Sequence, residues 1–426
     1  MIIYTVKPGD TVYYLSRRYG ISSETIIRDN ALNDPDLLVL GQTLVINNDV
    51  TPHRVRRGQS LFSIGMEYGI SLEQMISANP QIDNPYMINI GENVNIPVAP
   101  EKLGTIEVNG YTFPNIQESV LNATLPFLTY LSIFSYQVMG DGSPRTIDDE
   151  PLIEAARQAN VAPLMVITNL REEGGFSSDI AHAVLSNEDV QQTLLDNVVN
   201  VLDSKNYYGL DIDFEYIRPE DRENYDSFIQ KAVDTLRPLG YTITSALAPK
   251  ISADQPGLLY EAHNYPLHGS LLDHVILMTY EWGYTYGPPM AVAPIDQVGR
   301  VLDYAVTAIP PEKILMGMPN YGYDWTLPYR RGTAARSLSN TQAIDLAVST
   351  GAEIQFDTTS RAPFFYYSDN DGRSHVVWFD DARSIQARLR LVDEYGLGGV
   401  SYWTINRYFP QNWLVLDSMY DIRKVL

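Results

Sequence analysis

The feature that most constrains this chain is a regular alternation of strand-length apolar runs with longer helical patterns over residues 104–426. The intervening segments carry apolar residues at three- and four-residue spacing and stop at Gly or Pro, as in DQVGRVLDYAVTAIP. Eight runs have strand length: TIEVNGYTF, LTYLSIFSY, APLMVITNL, YYGLDIDFEY, YTITSALAP, DHVILMTYEW, KILMGMPNYGY and GVSYWTI. Eight β/α units in this order predict an α/β fold, a closed parallel (β/α)8 barrel whose active site lies at the carboxyl ends of the strands.

The segment after the seventh strand is too long for a simple loop. Residues 324–380, approximately, contain three further strand-like runs: AEIQF, PFFYY and HVVWF. This length and pattern predict a small α+β insertion that forms one wall of the cleft.

An internal repeat precedes the barrel. VKPGDTVYYLSRRYGIS, from Val6, realigns on VRRGQSLFSIGMEYGIS, from Val55, with an offset of 49 residues. The match continues to the end of each unit, so we expect domains at residues 1–48, 52–98 and 104–426. Each repeat predicts a strand, two helices and a closing strand, with Gly turns between them.

This βααβ pattern resembles the LysM module, which binds peptidoglycan and chitin. The resemblance implies that the repeats bind glycans rather than serving only as spacers. By position it implies a sugar groove at the first turn of each repeat: Gly9, Asp10 and Thr11, and Gly58, Gln59 and Ser60.

Composition excludes several classes of function. The chain has no cysteine and six scattered histidines, so we expect no thiol chemistry, no metal site and no cofactor. The net charge of −22 disfavours nucleic acid, because phosphate binding needs a basic surface. The N-terminal sequence lacks the basic and apolar regions of a cleavable signal peptide, and no apolar run is long enough to insert into a membrane. No obligate protein partner is evident.

The fourth predicted strand contains the chemistry-bearing residues. Asp211, Asp213 and Glu215 alternate with Ile and Phe, so their carboxyl groups share one face of the strand. An exposed acidic edge strand or a metal site would be the alternatives, but the apolar neighbours predict burial and no histidine ligand accompanies the acids. Buried carboxyl groups are costly when charged, so at least one should hold a proton at neutral pH. That is the property of a general acid.

DIDFE also resembles the DxxDxDxE signature of glycoside hydrolase family 18, the family of chitinases and endo-N-acetylglucosaminidases, and the match extends over residues 104–426. The resemblance implies that Glu215 protonates the glycosidic oxygen and that Asp213 orients the substrate acetamido group. Asp211 would pair with Asp213. It further implies a retaining reaction in which the substrate's acetamido oxygen is the nucleophile.

Other positions follow from the same resemblance. MTYEW in the sixth strand matches the family's MxYD, so Tyr280 would contact the acetamido carbonyl, with Met278 and Glu281 beside it. Trp403 of the eighth strand would form the floor of the sugar site. Aromatic side chains near strand ends are further candidates for substrate binding: Tyr111, Tyr216, Trp282 and Tyr321.

Three departures from the family pattern stand out. Tyr208 replaces the first Asp of the signature, and VITNL replaces SxGG in the third strand. Glu281 replaces an Asp, which lengthens a side chain in the cleft.

The paired repeats, PNYGYDW and HVVWFDDARSIQARLRLVDEYGLGGVSYW together resemble the spore cortex-lytic N-acetylglucosaminidases of endospore-forming bacilli. This predicts cleavage of peptidoglycan after N-acetylglucosamine in cortex that contains muramic-δ-lactam, during germination, by an enzyme in the coat and cortex region of the spore. A chitinase acting on chitin oligomers and a non-catalytic wall-binding coat protein are the alternatives. The sequence leaves endo or exo action and the oligomeric state open.

Overall fold

The computed structural model describes residues 1–47, 50–79, 81–82, 84–97 and 101–426. The predicted last residues of the two repeats, 48 and 98, lie outside this set. No helix in the described part is long and apolar enough to cross a membrane.

Both repeats have the predicted βααβ order. The first contains β1 (Ile2–Thr5), α1 (Val12–Tyr19), α2 (Ser23–Asp29) and β2 (Thr43–Ile46). The second contains β3 (Val50–Arg54), α3 (Leu61–Tyr68), α4 (Leu72–Ser77) and β4 (Asn93–Pro97). In each repeat the two strands pair antiparallel, and a separate apolar core lies between the strands and the helices.

The barrel has eight parallel strands, as predicted. They are β5 (Gly104–Thr112), β6 (Tyr130–Gln137), β7 (Ala162–Thr168), β8 (Gly209–Asp213), β9 (Thr242–Leu247), β10 (His274–Leu277), β11 (Ile314–Pro319) and β17 (Gly399–Trp403). Neighbours in the chain pair in order, and β17 pairs with β5 to close the barrel. A further short strand, β18 (Tyr420–Ile422), pairs with the beginning of β5 and was not predicted.

Helices cover the outside of the barrel. They are α5 (Glu118–Thr124), α6 (Glu150–Gln158), α7 (Ser178–Leu185), α8 (Glu188–Lys205), α9 (Arg222–Leu236), α10 (Tyr265–Leu271), α11 (Ile295–Ala308), α13 (Ala382–Tyr395) and α14 (Pro410–Met419). Their apolar faces and the outward faces of the strands form one continuous buried core. The barrel therefore provides a rigid base for the loops at the carboxyl ends of its strands.

The α+β insertion is present after β11. It consists of β12 (Gly322–Thr326), β13 (Arg336–Leu338), α12 (Asn340–Thr350), β14 (Gln355–Asp357), β15 (Ala362–Ser368) and β16 (Ser374–Trp378). The strands form an antiparallel sheet in the order β13-β12-β16-β15-β14.

Three predicted strands extend at least three residues past the observed ends. The seventh ends at Pro319, and the chain then enters the insertion sheet at Gly322, where Trp378 O leaves no room for a side chain. The sixth ends at Leu277, because the amides of Thr279 and Tyr280 bond to carbonyls only two residues earlier. The fourth ends at Asp213. Glu215, Tyr280 and Glu281 therefore lie on loops beyond their strands.

Candidate active site

Asp211 is the most deeply buried of the three predicted acids. Its two oxygens accept hydrogen bonds of 2.6 Å each, from the Tyr111 hydroxyl on β5 and from Thr244 Oγ1 on β9. Desolvation raises the pKa of Asp211 to about 6, while the two hydrogen bonds lower it. Among the described residues no hydrogen bond joins Asp211 to Asp213, although Asp211 raises the pKa of Asp213 by repulsion, so the expected pairing of the two stays a prediction.

Asp213 is also buried, at 5% exposure, and it lines the cleft. Its Oδ1 has no hydrogen-bond partner among the described residues. Desolvation, followed by repulsion from Glu215 and Asp211, raises the pKa of Asp213 well above its ordinary value. A buried polar atom without a partner is costly, so this carboxyl is set up to bond a group that enters the cleft.

Glu215 lies two residues beyond β8, on a turn held by Asn169. The Glu215 amide donates to Asn169 Oδ1 at 2.9 Å, and Asn169 Nδ2 donates to the Glu215 carbonyl at 2.7 Å. Desolvation and then repulsion from Glu281 raise the pKa of Glu215 to about 7. A carboxylic acid with such a pKa holds its proton over much of the neutral range and can donate it.

Asn169 was missed as a functional residue by sequence reasoning. It is fully buried and also donates to the Ser177 carbonyl at 3.0 Å. It belongs to VITNL, the segment that departs from the family's SxGG in the third strand. An Asn at a strand end is also a common turn residue, so its type alone did not indicate this contact.

Glu281 and Tyr321 form one unit beside the acids. Glu281 accepts hydrogen bonds from the hydroxyls of Tyr321 and Tyr323, the latter at 3.0 Å, and its backbone has a φ of 67°. Desolvation raises the pKa of Glu281, and these two hydrogen bonds lower it. Tyr321 is 5% exposed and its hydroxyl supports Glu281, while its direct contact with substrate stays a prediction.

The cleft has a volume of about 650 Å³. The predicted residues that line it are Tyr111, Asp213, Glu215, Tyr216, Met278, Tyr280, Glu281, Trp282 and Trp403. Phe134, Phe176 and Tyr260, which were not predicted, line it as well. Its described lining carries three carboxyl groups and no Lys or Arg, so the cleft favours neutral or cationic groups over anions.

Trp403 is held by a set of aromatic rings. The rings of Tyr111, Phe113 and Phe134 meet the indole edge-to-face, with centroid separations of 5.5, 5.7 and 4.8 Å. Such contacts fix the orientation of an aromatic side chain and leave its free face to the cleft. A sugar ring is the kind of ligand that stacks on such a surface.

The predicted sugar-binding side chains of the repeats make hydrogen bonds within their own repeat. Asp10 accepts from the Tyr4 hydroxyl and the Lys7 amide, and Thr11 caps α1 at the Tyr14 amide. In the second repeat, Gln59 accepts from the Arg56 amide and Ser60 caps α3. Gly9 and Gly58 have the same φ of 85° and open space around them. Glycan binding at these turns stays a prediction, to which backbone groups would contribute.

Comparison with known proteins agrees with this architecture. The family model for glycosyl hydrolases family 18 matches residues 113–407, and the LysM domain model matches residues 4–47 and 53–97. The cortical fragment-lytic enzyme of Bacillus subtilis (strain 168) is 42% identical over 432 residues, covering 100% of this chain and 99% of that protein.

Solved structures give the same result. The spore cortex-lytic enzyme SleL of Bacillus megaterium QM B1551 matches with a TM-score of 0.86 and 40% identity, covering 100% of this chain and 99% of that one. SleL of Bacillus cereus matches with a TM-score of 0.84 and 37% identity, covering 99% of each chain. The resemblance inferred from the sequence is confirmed. The chain therefore belongs to glycosyl hydrolases family 18 and is a glycoside hydrolase with two N-terminal LysM domains that bind glycans.

Proposed function

We propose that this chain hydrolyses spore cortex peptidoglycan, cutting the glycosidic bond after N-acetylglucosamine. The relatives that support this substrate are cortex-lytic enzymes similar to the chain over nearly its whole length. The neutral N-acetylglucosamine ring also suits a cleft lined by carboxyl and aromatic groups, and the LysM pair suits a wall polymer. We place the site of action in the coat and cortex region of the spore.

The observation that carries the reaction is the unpartnered, buried Oδ1 of Asp213 in the same cleft as the acid Glu215. In the proposed reaction Glu215 gives its proton to the leaving oxygen. Asp213 holds the N–H of the substrate's 2-acetamido group, and Tyr280 holds its carbonyl oxygen. That oxygen attacks the anomeric carbon, and water then opens the oxazolinium intermediate with net retention. Holding the nucleophile within the substrate makes the attack intramolecular, with a high effective concentration.

Asp211 has a positioning role in this proposal. Its hydrogen bonds to Tyr111 and Thr244 keep a second carboxyl behind Asp213, and repulsion between the two helps to keep a proton on Asp213. Trp403 provides the floor of the sugar site. Met278, Trp282 and Tyr216 line the walls.

The test is to incubate the protein with purified cortex fragments and, separately, with chitin oligomers, and to identify the sugar at each new reducing end. N-acetylglucosamine at the new end of cortex fragments is expected. Cleavage of chitin oligomers with no cleavage of cortex would identify a chitinase instead. Absence of hydrolysis on both substrates would support the non-catalytic alternative.

The mechanism has its own test. Proton NMR early in the reaction should show the retained anomer, and a thiazoline analogue of the intermediate should inhibit well below the half-saturation concentration of substrate. An inverted first product would exclude the acetamido nucleophile.

A further inference from the structure

The first repeat uses both faces of its two-stranded sheet. On one face Tyr4, Leu44 and Ile46 pack into the repeat's own core. On the other face the paired residues Ile3 and Val45 pack into the barrel core, with Val45 fully buried. β2 lies against α13 and α14, and α2 also lies against α14. The first repeat therefore shares one apolar core with the barrel.

Buried polar contacts fix the position of the repeat on the barrel. Gln411 of α14 is fully buried and donates to the Thr43 carbonyl at 2.9 Å and to Asn30 Oδ1 at 3.1 Å. The Thr43 hydroxyl donates back to Gln411 Oε1 at 3.3 Å. Leaving a buried amide without its hydrogen-bond partners costs free energy. This contact therefore sets both the orientation and the register of the repeat on the barrel.

The turn before β2 reaches the α+β insertion. The Ile354 amide donates to the Leu40 carbonyl at 2.9 Å, and Arg383 donates to the Gly41 carbonyl at 3.2 Å. A Cβ on Gly41 would lie 1.8 Å from the Ile354 carbonyl oxygen, so the two backbones meet where no side chain fits. Gly41 also has a φ of 78°.

In the part of the second repeat that the structure describes, this interface has no counterpart. Thr43 and Val45 correspond to Asn93 and Asn95, and Asn93 is exposed. A Cβ on the corresponding glycine, Gly91, would meet only the Arg54 side chain, at 3.7 Å, although its φ is nearly the same at 86°. Among the described residues, every hydrogen bond that joins a repeat to the barrel comes from the first repeat.

We propose that the first LysM repeat is a fixed part of the catalytic unit. Its interface with α13, α14 and the insertion would hold its glycan groove at a constant position relative to the active cleft. The second repeat binds glycan without that constraint. This inference rests on the proposed glycan substrate for its functional consequence, whereas the interface itself can be tested without any substrate.

The experiment compares Gly41→Ala with its matched control, Gly91→Ala, in the full chain. Both substitutions put alanine at a positive φ, so the backbone strain is similar and only the first also disrupts the interface. We expect Gly41→Ala to lower the Tm by several degrees more than Gly91→Ala. Hydrogen exchange at the Ile354 amide should become at least tenfold faster in Gly41→Ala and stay unchanged in Gly91→Ala.

The functional measurement is kcat/KM on long cortex fragments and on short soluble N-acetylglucosamine oligomers. Gly41→Ala should lose about tenfold on the long fragments, because a freed repeat no longer presents the polymer at a fixed place, and should stay near wild type on the oligomers. Gly91→Ala should change neither. Gln411→Ala is the second variant if Gly41→Ala does not fold, with the same expected pattern.

Equal Tm values and equal exchange rates at Ile354 in the two glycine variants would show that the first repeat is not docked on the barrel at Gly41. If exchange at Ile354 becomes faster in Gly41→Ala but cleavage of long fragments is unchanged, the interface exists. The proposal that it holds the glycan groove in a fixed position would then be wrong. If wild-type protein does not cleave cortex, the proposed substrate fails, while the exchange measurement still decides whether the repeat is docked.

Discussion

At the scale of single residues, the raised pKa values of Asp211, Asp213 and Glu215 share a first cause, and a different second influence acts on each. Desolvation acts on all of them. Two hydrogen bonds lower the pKa of Asp211, whereas repulsion from Glu215 and Asp211 raises the pKa of Asp213 further, and repulsion from Glu281 raises that of Glu215. Protons in such a cluster belong to the group as a whole. The arrangement keeps an acid available near neutral pH.

Replacing Glu215 with Gln should abolish hydrolysis without loss of the fold. The amide has nearly the same shape but cannot deliver a proton, and general acid catalysis contributes roughly 10² to 10⁴ in rate. The measurement is kcat on short oligomers, with Tm and oligomer affinity as controls for folding and binding. Residual turnover above a few per cent of wild type would refute the role of Glu215.

The pH dependence of kcat/KM should depend on the charge of Glu281, because repulsion from Glu281 raises the pKa of Glu215. Because Glu215 must be protonated, kcat/KM should fall as pH rises through about 7. Glu281→Gln removes a negative charge but keeps an oxygen for the Tyr321 and Tyr323 hydroxyls. The pKa of Glu215 should then drop, and the alkaline limb should move to lower pH.

Glu312→Gln is the control for this profile, since Glu312 is an exposed carboxylate at the opposite end of β11. It should leave the profile unchanged. An alkaline limb that does not move in Glu281→Gln would show that desolvation alone sets the pKa of Glu215.

At the scale of elements, the turn after β8 depends on the end of β7. Asn169 bonds both backbone groups of Glu215 and the Ser177 carbonyl. Asn169→Ala should therefore lower kcat more than it raises KM, because it frees the acid while the cleft lining stays. Each buried group left unpaired costs about 1–3 kcal/mol, so the Tm should also fall.

The matched control is Asn79→Ala in the second repeat. Asn79 is likewise a buried Asn that bonds backbone groups, those of Met75 and Asn95, far from the barrel strands in sequence. It should lower stability without changing kcat on short oligomers. Equal effects of Asn169→Ala and Asn79→Ala on kcat would show that Asn169 has only a structural role.

The sequence predicted those elements whose side-chain pattern is local. Period-two alternation identified β8 and placed Asp211 and Asp213 on one face, and the repeat offset identified both LysM domains. Contacts between distant segments left no such pattern. In the sequence, the buried Gln411 in the first turn of α14 resembles any surface Gln, and nothing local shows that the Tyr321 hydroxyl bonds to Glu281.

At the scale of the whole molecule, the buried acids lower stability as pH rises. A carboxyl whose folded pKa lies above its unfolded value is destabilising once the unfolded form releases its proton, from about pH 4 upward. The pKa of Asp213 is raised in this way by burial and like charges. Stability is therefore lost between about pH 4 and the raised folded pKa.

Asp213→Asn removes this titration. We expect the Tm of Asp213→Asn minus that of wild type to increase as pH is raised from 4 to 7, measured by calorimetry at several pH values. Activity should be lost in the same variant, so the substitution would exchange function for stability. A constant difference across this range would mean that Asp213 titrates alike in the folded and unfolded chains.

The docking of the first repeat also sets an order of events during synthesis. Thr43 and Gln411 are 368 residues apart in the chain. At about 5–20 residues per second, the ribosome needs roughly 20–70 s to pass from one to the other. The repeat can fold early, yet the apolar face that carries Ile3 and Val45 stays without α14, the last of its partner helices, until the end of that interval.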